Sequence, residues 1–249
     1  MTAPVWRLIP YLEGPGALHM ALDSWLLDQH QHHGHPPTLR FYSWRPAALS
    51  LGVSQRHSYP EHWQRLTWRG QPLDLVQRPT GGRGVLHQGD LTYALVTTAP
   101  GPRRQVYEQL CQFLIQGWTQ LGLPLQLGAP NRDYRRSAHC FSQATAADLV
   151  TPQGHKLIGS AQLRQGPAVL QHGSMQLAPD PDLWAQVFAS PAPPLLALPP
   201  PATLMAVLEQ AAARCWGCEW VRQPLSDQEW QQVIQRQAAY QARIAEAMA

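Results

Sequence analysis

The chain has 249 residues, with 19 Lys plus Arg against 16 Asp plus Glu, a formal net charge of +3 and a pI near 8.8. Such a length buries a substantial core as one large domain or two small ones, and no apolar run reaches the ~20 residues of a membrane span. Charged residues make up only 14% and the arginines are scattered, not striped, so no nucleic-acid interface is expected.

The opening "MTAPVWRLIPYLEGPG" has neither the basic region nor the apolar stretch of a secretory signal. Four cysteines in a chain this long do not make a disulfide framework. The expectation is a soluble cytoplasmic protein with no membrane partner. Small basic pairs at Arg103–Arg104 and Arg135–Arg136 read either as solvated surface or as a weak docking patch for an acidic protein.

Residues 14–31 are predicted helical, because Leu18, Leu22, Trp25 and Leu26 fall at i, i+4, i+7 and i+8. The helix is expected to stop in "HQHHGHPP", at Gly34 and the Pro36–Pro37 pair. The four histidines there lack a metal-ligand spacing, and no metal is expected. The runs "TLRFYSW", "AALSLGV", "LDLVQRP", "GVLH" and "LTYALVTT" follow, rich in β-branched and aromatic residues and bounded by Gly, Pro or Ser, and read as strands. Helical spacing returns over 103–121 through Val106, Leu110, Phe113, Leu114, Gly117 and Leu121. The runs "ADLVT", "HKLIGSAQLRQ" and "AVLQHGSMQLA" read as strands joined by tight turns at Gln153–Gly154 and Gln165–Gly166.

A proline-rich connection over 190–202 precedes a helix marked by Leu204, Val207, Leu208, Ala211 and Cys215. A last helix opens at Ser226 with Glu229 three residues on, the capping-box spelling. Consecutive strands flanked by helices predict an α+β fold. The expected layout is a single domain over 1–249, with core motifs at 77–175 and C-terminal helices over 203–247 packed on the same body.

Three stretches could carry chemistry. In "QRPTGGRGVLHQGDLTYAL", Gly81, Gly82 and Gly84 let backbone N–H groups approach a ligand, with Arg78 and Arg83 beside them. The spacing is neither a Walker loop nor a dinucleotide fingerprint, and a tight hairpin that needs the glycines only for its turn reads equally well. In "SAHCFSQATAADLV", Cys140 is either a half-buried apolar residue or a nucleophile. The only lysine, Lys156, stands against 18 arginines. A hairpin of 147–151 with 156–163 would bring it back towards Cys140, where a compact cation able to release a proton could hold a thiolate; chance placement of one lysine is the plain alternative. Cys215 and Cys218 have redox or zinc spacing without a second pair, and core at a helix end is the better reading.

The segment "RPTGGRGVLHQGDLTYAL" resembles the Arg-x-Thr/Ser-Gly-Gly-Arg/Gly-Ala-Val-x-His motif of the lipoate and biotin protein ligase superfamily, with Gly84 where Ala is usual. "HKLIGSAQLRQGPAVLQHGSM" resembles its Lys-x-x-Gly-Ser/Asn-Ala and His-Gly-Ser/Thr motif, in the expected order. "GGR" followed by "VLH" and "LTY", with a Cys-Phe pair before the lysine motif, is similar to the octanoyltransferases of the LipM type. After that pair, Ala144, Thr145 and Ala146 depart from the Pro-Ser and aromatic usual there.

The resemblance implies a ligase-like catalytic domain with a mixed, largely antiparallel sheet. It also implies octanoyl transfer from acyl carrier protein to a lysine of a lipoyl domain through a cysteine thioester, with no cofactor. In that scheme Cys140 is the nucleophile and Lys156 lowers its pKa and polarises the acyl carbonyl. Arg78, Gly81, Gly82, Arg83, Gly84 and His87 line one side of the acyl pocket. Gly159, Ser160, Ala161, His172 and Gly173 lie opposite. An ATP-dependent lipoate ligase, which would need ATP and Mg but not Cys140, is the competing expectation. An amidotransferase between lipoyl domains and a non-catalytic carrier-protein binder follow it.

Overall fold

A computed structural model describes residues 2–55, 59–128, 148–194 and 197–241. In chain order its strands are β1 (Val5–Gly14), β2 (Thr38–Trp44), β3 (Ala48–Leu51), β4 (Thr67–Trp68), β5 (Gln71–Pro72), β6 (Asp74–Gln77), β7 (Val85–His87), β8 (Asp90–Thr98), β9 (Gln126–Leu127), β10 (Leu149–Val150), β11 (Lys156–Gln165), β12 (Ala168–Gln176) and β13 (Glu219–Arg222). The helices are α1 (Gly16–His32), α2 (Arg103–Leu110), α3 (Gln112–Gln120), α4 (Pro181–Phe188), α5 (Pro201–Trp216) and α6 (Asp227–Gln237).

Eight strands form one sheet in the order β13-β1-β2-β8-β12-β11-β10-β9. The β13–β1 and β1–β2 pairs are parallel and the remaining five are antiparallel. The expected mixed, largely antiparallel α+β architecture is what forms. A second sheet, β6-β3-β7, stands beside it, and β4 and β5 make a small hairpin.

Alternation of side chains along the central strands separates two cores. Leu39 and Phe41 of β2, with Leu91, Tyr93 and Leu95 of β8, face α2, α3 and α5. Tyr42 and Trp44 of β2, with Ala94 and Val96 of β8, face α1 and α6. Helices therefore cover both faces, which is why every residue of β12 is buried and why these strands read as near-continuous apolar runs. On the first face Gly117 of α3 lets α5 approach until a Cβ there would lie 2.6 Å from Leu208 Cδ2.

Several boundaries differ from the sequence expectation. The predicted 103–121 helix is two helices joined at Cys111. Strand β1 went unpredicted because Pro10 interrupts its pattern; the register shifts between Ile9 and Leu12, and Pro10 itself is exposed. Both predicted C-terminal helices form, and between them the unpredicted β13 adds a parallel edge to β1. Helix α4, capped by the Asp180 carboxylate on the N–H groups of Asp182 and Leu183, was also missed.

The predicted capping box at Ser226 forms: Glu229 N–H donates to Ser226 Oγ, and Ser226 N–H donates to Glu229 Oε2 at 2.7 Å. The same carboxylate receives Arg7 Nη1 at 2.7 Å and Nη2 at 3.0 Å, while Arg7 also donates to the carbonyls of Gln223 and Pro224. Burial pushes the Glu229 pKa up, but the bonds from Arg7 and Ser226 outweigh it and hold it below 4.5. A carboxyl lowered on folding stabilises above its unfolded value and loses that contribution as pH falls through the folded one. Glu229→Gln is expected to cost about 1–3 kcal/mol at neutral pH. The gap from wild type should close as pH drops below 4.5, as read by urea denaturation across pH.

Candidate functional site

The cavity that matters lies between the glycine-rich segment 78–84 and the β11–β12 hairpin. Segment 78–84 leads from β6 to β7, which do not pair with each other; both flank β3, so the segment is not a tight hairpin. Gly82 has φ 101°, a backbone region glycine enters without a Cβ penalty. Its carbonyl sits so close to Gly52 that a Cβ there would come within 2.2 Å. Arg78 fixes the loop from within: Nη1 donates to Ser50 O at 2.7 Å, Nη2 to Arg83 O at 2.7 Å, and both Nε and Nη2 to Gly81 O.

The free volume of the cavity is about 60 Å³. Of the eleven residues expected to line it, Arg78, Gly81, Gly82, His87, Gly159, Ser160, Ala161, His172 and Gly173 do so, together with Met20, Tyr42, Trp44, Ser50, Val85, Thr92, Asp148 and Ser174. Arg83 and Gly84 do not, because the loop turns there to enter β7; Arg83 contributes its carbonyl to Arg78 instead. Gly173 is required by close approach across the hairpin, since a Cβ would meet Ser160 Oγ at 2.6 Å and Tyr93 Cε1 at 2.7 Å.

Beneath the cavity lies a carboxylate the sequence reading did not single out. Asp23 of α1 is fully buried and accepts from Arg40 Nε at 2.9 Å, Tyr42 Oη at 2.9 Å and His172 Nδ1 at 2.8 Å. Burial alone would raise its pKa, but Arg40 and His172 hold it below the usual carboxylate value. With Nδ1 committed to Asp23, His172 presents Nε2 to Thr80 Oγ1 at 2.7 Å, which orients the glycine-rich loop against β12. Next to it His19 shares Ser43 O through Nε2 at 2.9 Å, and burial with the nearby Arg40 charge lowers its pKa to about 3.

A second network surrounds His87. Its Nδ1 lies 2.8 Å from Asp90 Oδ2, which also accepts from Thr92 and Ser174 hydroxyls, and its Nε2 lies 2.8 Å from Ser50 Oγ. Trp44 stacks on the imidazole with centroids 3.7 Å apart. Burial pushes the His87 pKa down against the pull of Asp90, leaving the ring neutral at neutral pH.

Among the described residues of the expected 147–151/156–163 hairpin, Leu149 pairs opposite Ile158 and Val150 opposite Lys156. Lys156 lies off the cavity lining and places Nζ 2.9 Å from Asp148 Oδ2, both side chains 3% exposed. Asp148, passed over in the sequence, is the member of this pair that lines the cavity. Cys140 lies outside the described residues, as do Arg135 and Arg136. Cys215 and Cys218 are free thiols at the end of α5 and its turn, with pKa values raised by burial. His30 spends both ring nitrogens on His35 O and Thr98 Oγ1, and among the described residues no group of three ligands could hold a metal.

The chain is 37% identical over 203 residues to an octanoyltransferase LipM of Geobacillus kaustophilus, a match covering 77% of this chain and 72% of that one. The LipM of Bacillus subtilis is 35% identical over the same shares. Among solved structures, lipoate-protein ligase A bound with ATP superposes with a TM-score of 0.75 at 17% identity, covering 96% of this chain and 95% of that one. A bipartite lipoate protein ligase studied with its E2 lipoyl domain, from Thermoplasma acidophilum, gives 0.74 at 17%, covering 95% and 93%. A profile of the lipoyl protein ligase A/B catalytic domain matches residues 15–195. By sequence and by fold, the chain belongs to the lipoyl protein ligase A/B catalytic domain family.

Proposed function

We propose that this protein is an octanoyltransferase that moves an octanoyl group from acyl carrier protein to a lysine of a lipoyl domain, through a thioester on Cys140. The observation that carries the reading is the convergence of both family motifs on one cavity, in a chain 35–37% identical to octanoyltransferases over about three quarters of its length. Thioester to thioester to amide runs downhill, so the reading needs no cofactor. No helix among the described residues is long and apolar enough to cross a membrane, and the reaction is assigned to the cytoplasm, where its carrier and acceptor proteins would meet it.

In this reading the acyl chain lies against Met20, Val85 and the glycine faces of segment 78–84 and β11–β12. Lys156, held behind the cavity-lining Asp148, supplies an ammonium whose charge acts on the acyl carbonyl as the tetrahedral intermediate forms. Asp148 compensates that ammonium in a place water hardly reaches, and it sets the direction in which the Nζ protons point. The thiolate of Cys140 attacks the donor thioester and expels the carrier thiol. The acceptor amine then attacks the enzyme thioester, and the cysteine sulfur leaves.

Mixing wild type with octanoyl-acyl carrier protein in the absence of ATP is expected to add one octanoyl group, read by intact-mass spectrometry, and Cys140→Ala to add none. Modification of a lipoyl domain only when ATP and free octanoate are supplied would make the enzyme a ligase. Lys156→Arg keeps the charge and loses the compact ammonium; transfer is expected to fall by about 10²–10⁴ with the circular-dichroism melting curve retained. Asp148→Asn removes one side of a buried ion pair and is expected to cost on the order of 3 kcal/mol or more, together with transfer activity.

A further inference from the structure

Ser50 Oγ, His87 and Asp90 form a hydroxyl–imidazole–carboxylate relay that the thioester scheme does not use. Asp90 Oδ2 takes three donors, one of them His87 Nδ1 at 2.8 Å. That bond fixes the neutral tautomer with its proton on Nδ1 and a lone pair on Nε2. At 2.8 Å from Nε2, Ser50 Oγ therefore donates its proton to the imidazole. Arg78 Nη1 donates to the same hydroxyl oxygen at 3.1 Å, which favours any negative charge developing there. All three relay residues are at most 8% exposed, and Trp44 covers the imidazole. Ser50 and His87 both line the cavity, beside Gly81 and Gly82. A buried serine with an oriented base, a carboxylate behind the base and a cation on the oxygen, opening into a cavity, has the parts of an activated nucleophile.

We propose that Ser50 is a second acyl-accepting centre, and that through it the protein hydrolyses short-chain acyl esters and thioesters that enter this cavity. Ser50 Oγ bonds to the acyl carbon while its proton passes to His87 Nε2. The alcohol or thiol leaving group departs with that proton. Water, giving one proton to the same nitrogen, then attacks the serine ester; the Ser50 Oγ–acyl bond breaks, the proton returns from His87 Nε2 to Ser50 Oγ, and the carboxylic acid is released. The net reaction is ester or thioester plus water to acid plus alcohol or thiol, with no oxidant or cofactor. The proposal rests on the acyl-pocket reading above but does not require Cys140.

The test uses p-nitrophenyl butyrate with the full chain in the Cys140→Ala background. The expected result is steady nitrophenolate release, inhibited competitively by octanoate, with a butyryl adduct on the Ser50 peptide after acid quench. Adding Ser50→Ala should lower release by about a hundredfold or more and remove the adduct. His87→Gln should slow acylation and flatten its rise with pH. Octanoate binding without an adduct on Ser50, or release unchanged by Ser50→Ala, would overturn this proposal while leaving the transferase reading intact. Loss of both octanoate binding and adduct would overturn both. Should Ser50→Ala fail to fold, the adduct site in Cys140→Ala alone decides.

Discussion

The buried carboxylate of Asp23 is the fixed point of the site. It sits in the middle of a helix, where an unpaired charge would be costly to desolvate, and three donors from β2 and β12 meet it there. Because Arg40 and Tyr42 are two residues apart on β2, both point to the same face of the sheet. That face is the one α1 covers. The carboxylate sets the depth at which α1 lies on the sheet, and through His172 it fixes Thr80 and the loop behind it. Remove that charge and Arg40 is left buried, His172 loses its tautomer, and the glycine-rich segment loses its inner contact.

The cavity lining is mostly apolar, and its polar parts are of two kinds. The glycine faces of the loop and of β11–β12 are bare backbone, and at Gly173 close approach across the hairpin leaves no space for a Cβ. The side chains, by contrast, are locked into networks whose members hold one another: Arg78 with Ser50, His87 with Asp90, His172 with Asp23, Tyr93 with Ser160 and Gln171. Such networks cost little reorganisation when a ligand arrives, because the dipoles already point where they are needed.

How much of this was legible depends on the range over which each signal acts. Strands β2, β8, β11 and β12 and helices α1, α5 and α6 announced themselves through local periodicity and punctuation, and the motifs named nine of the cavity's residues. The signals that failed were relational. Asp23 is an acid among the apolar residues of α1, which is a visible oddity, yet only the fold shows that Arg40, Tyr42 and His172 converge on it. Asp148 stands in a strand-like run and carries no signal of its own, because its meaning comes from Lys156, eight residues further on across a turn. Strand β13 is four residues long and mostly exposed, so nothing in its own composition sets it apart from a loop; it exists because β1 offers it an edge.

That edge ties the two ends of the described chain together, and it has a consequence for synthesis. β1 leaves the ribosome well before β13 and before the Glu229 that clasps Arg7. Until β13 emerges, β1 has β2 on one flank and open backbone N–H and C=O groups on the other, the arrangement that recruits foreign strands. Pro10, exposed and without a backbone N–H, interrupts the row of donors along β1, while the register shift beside it lies on the β2 side. The same irregularity that hid β1 from its sequence pattern shortens the interval of strand available for mispairing while the chain is incomplete.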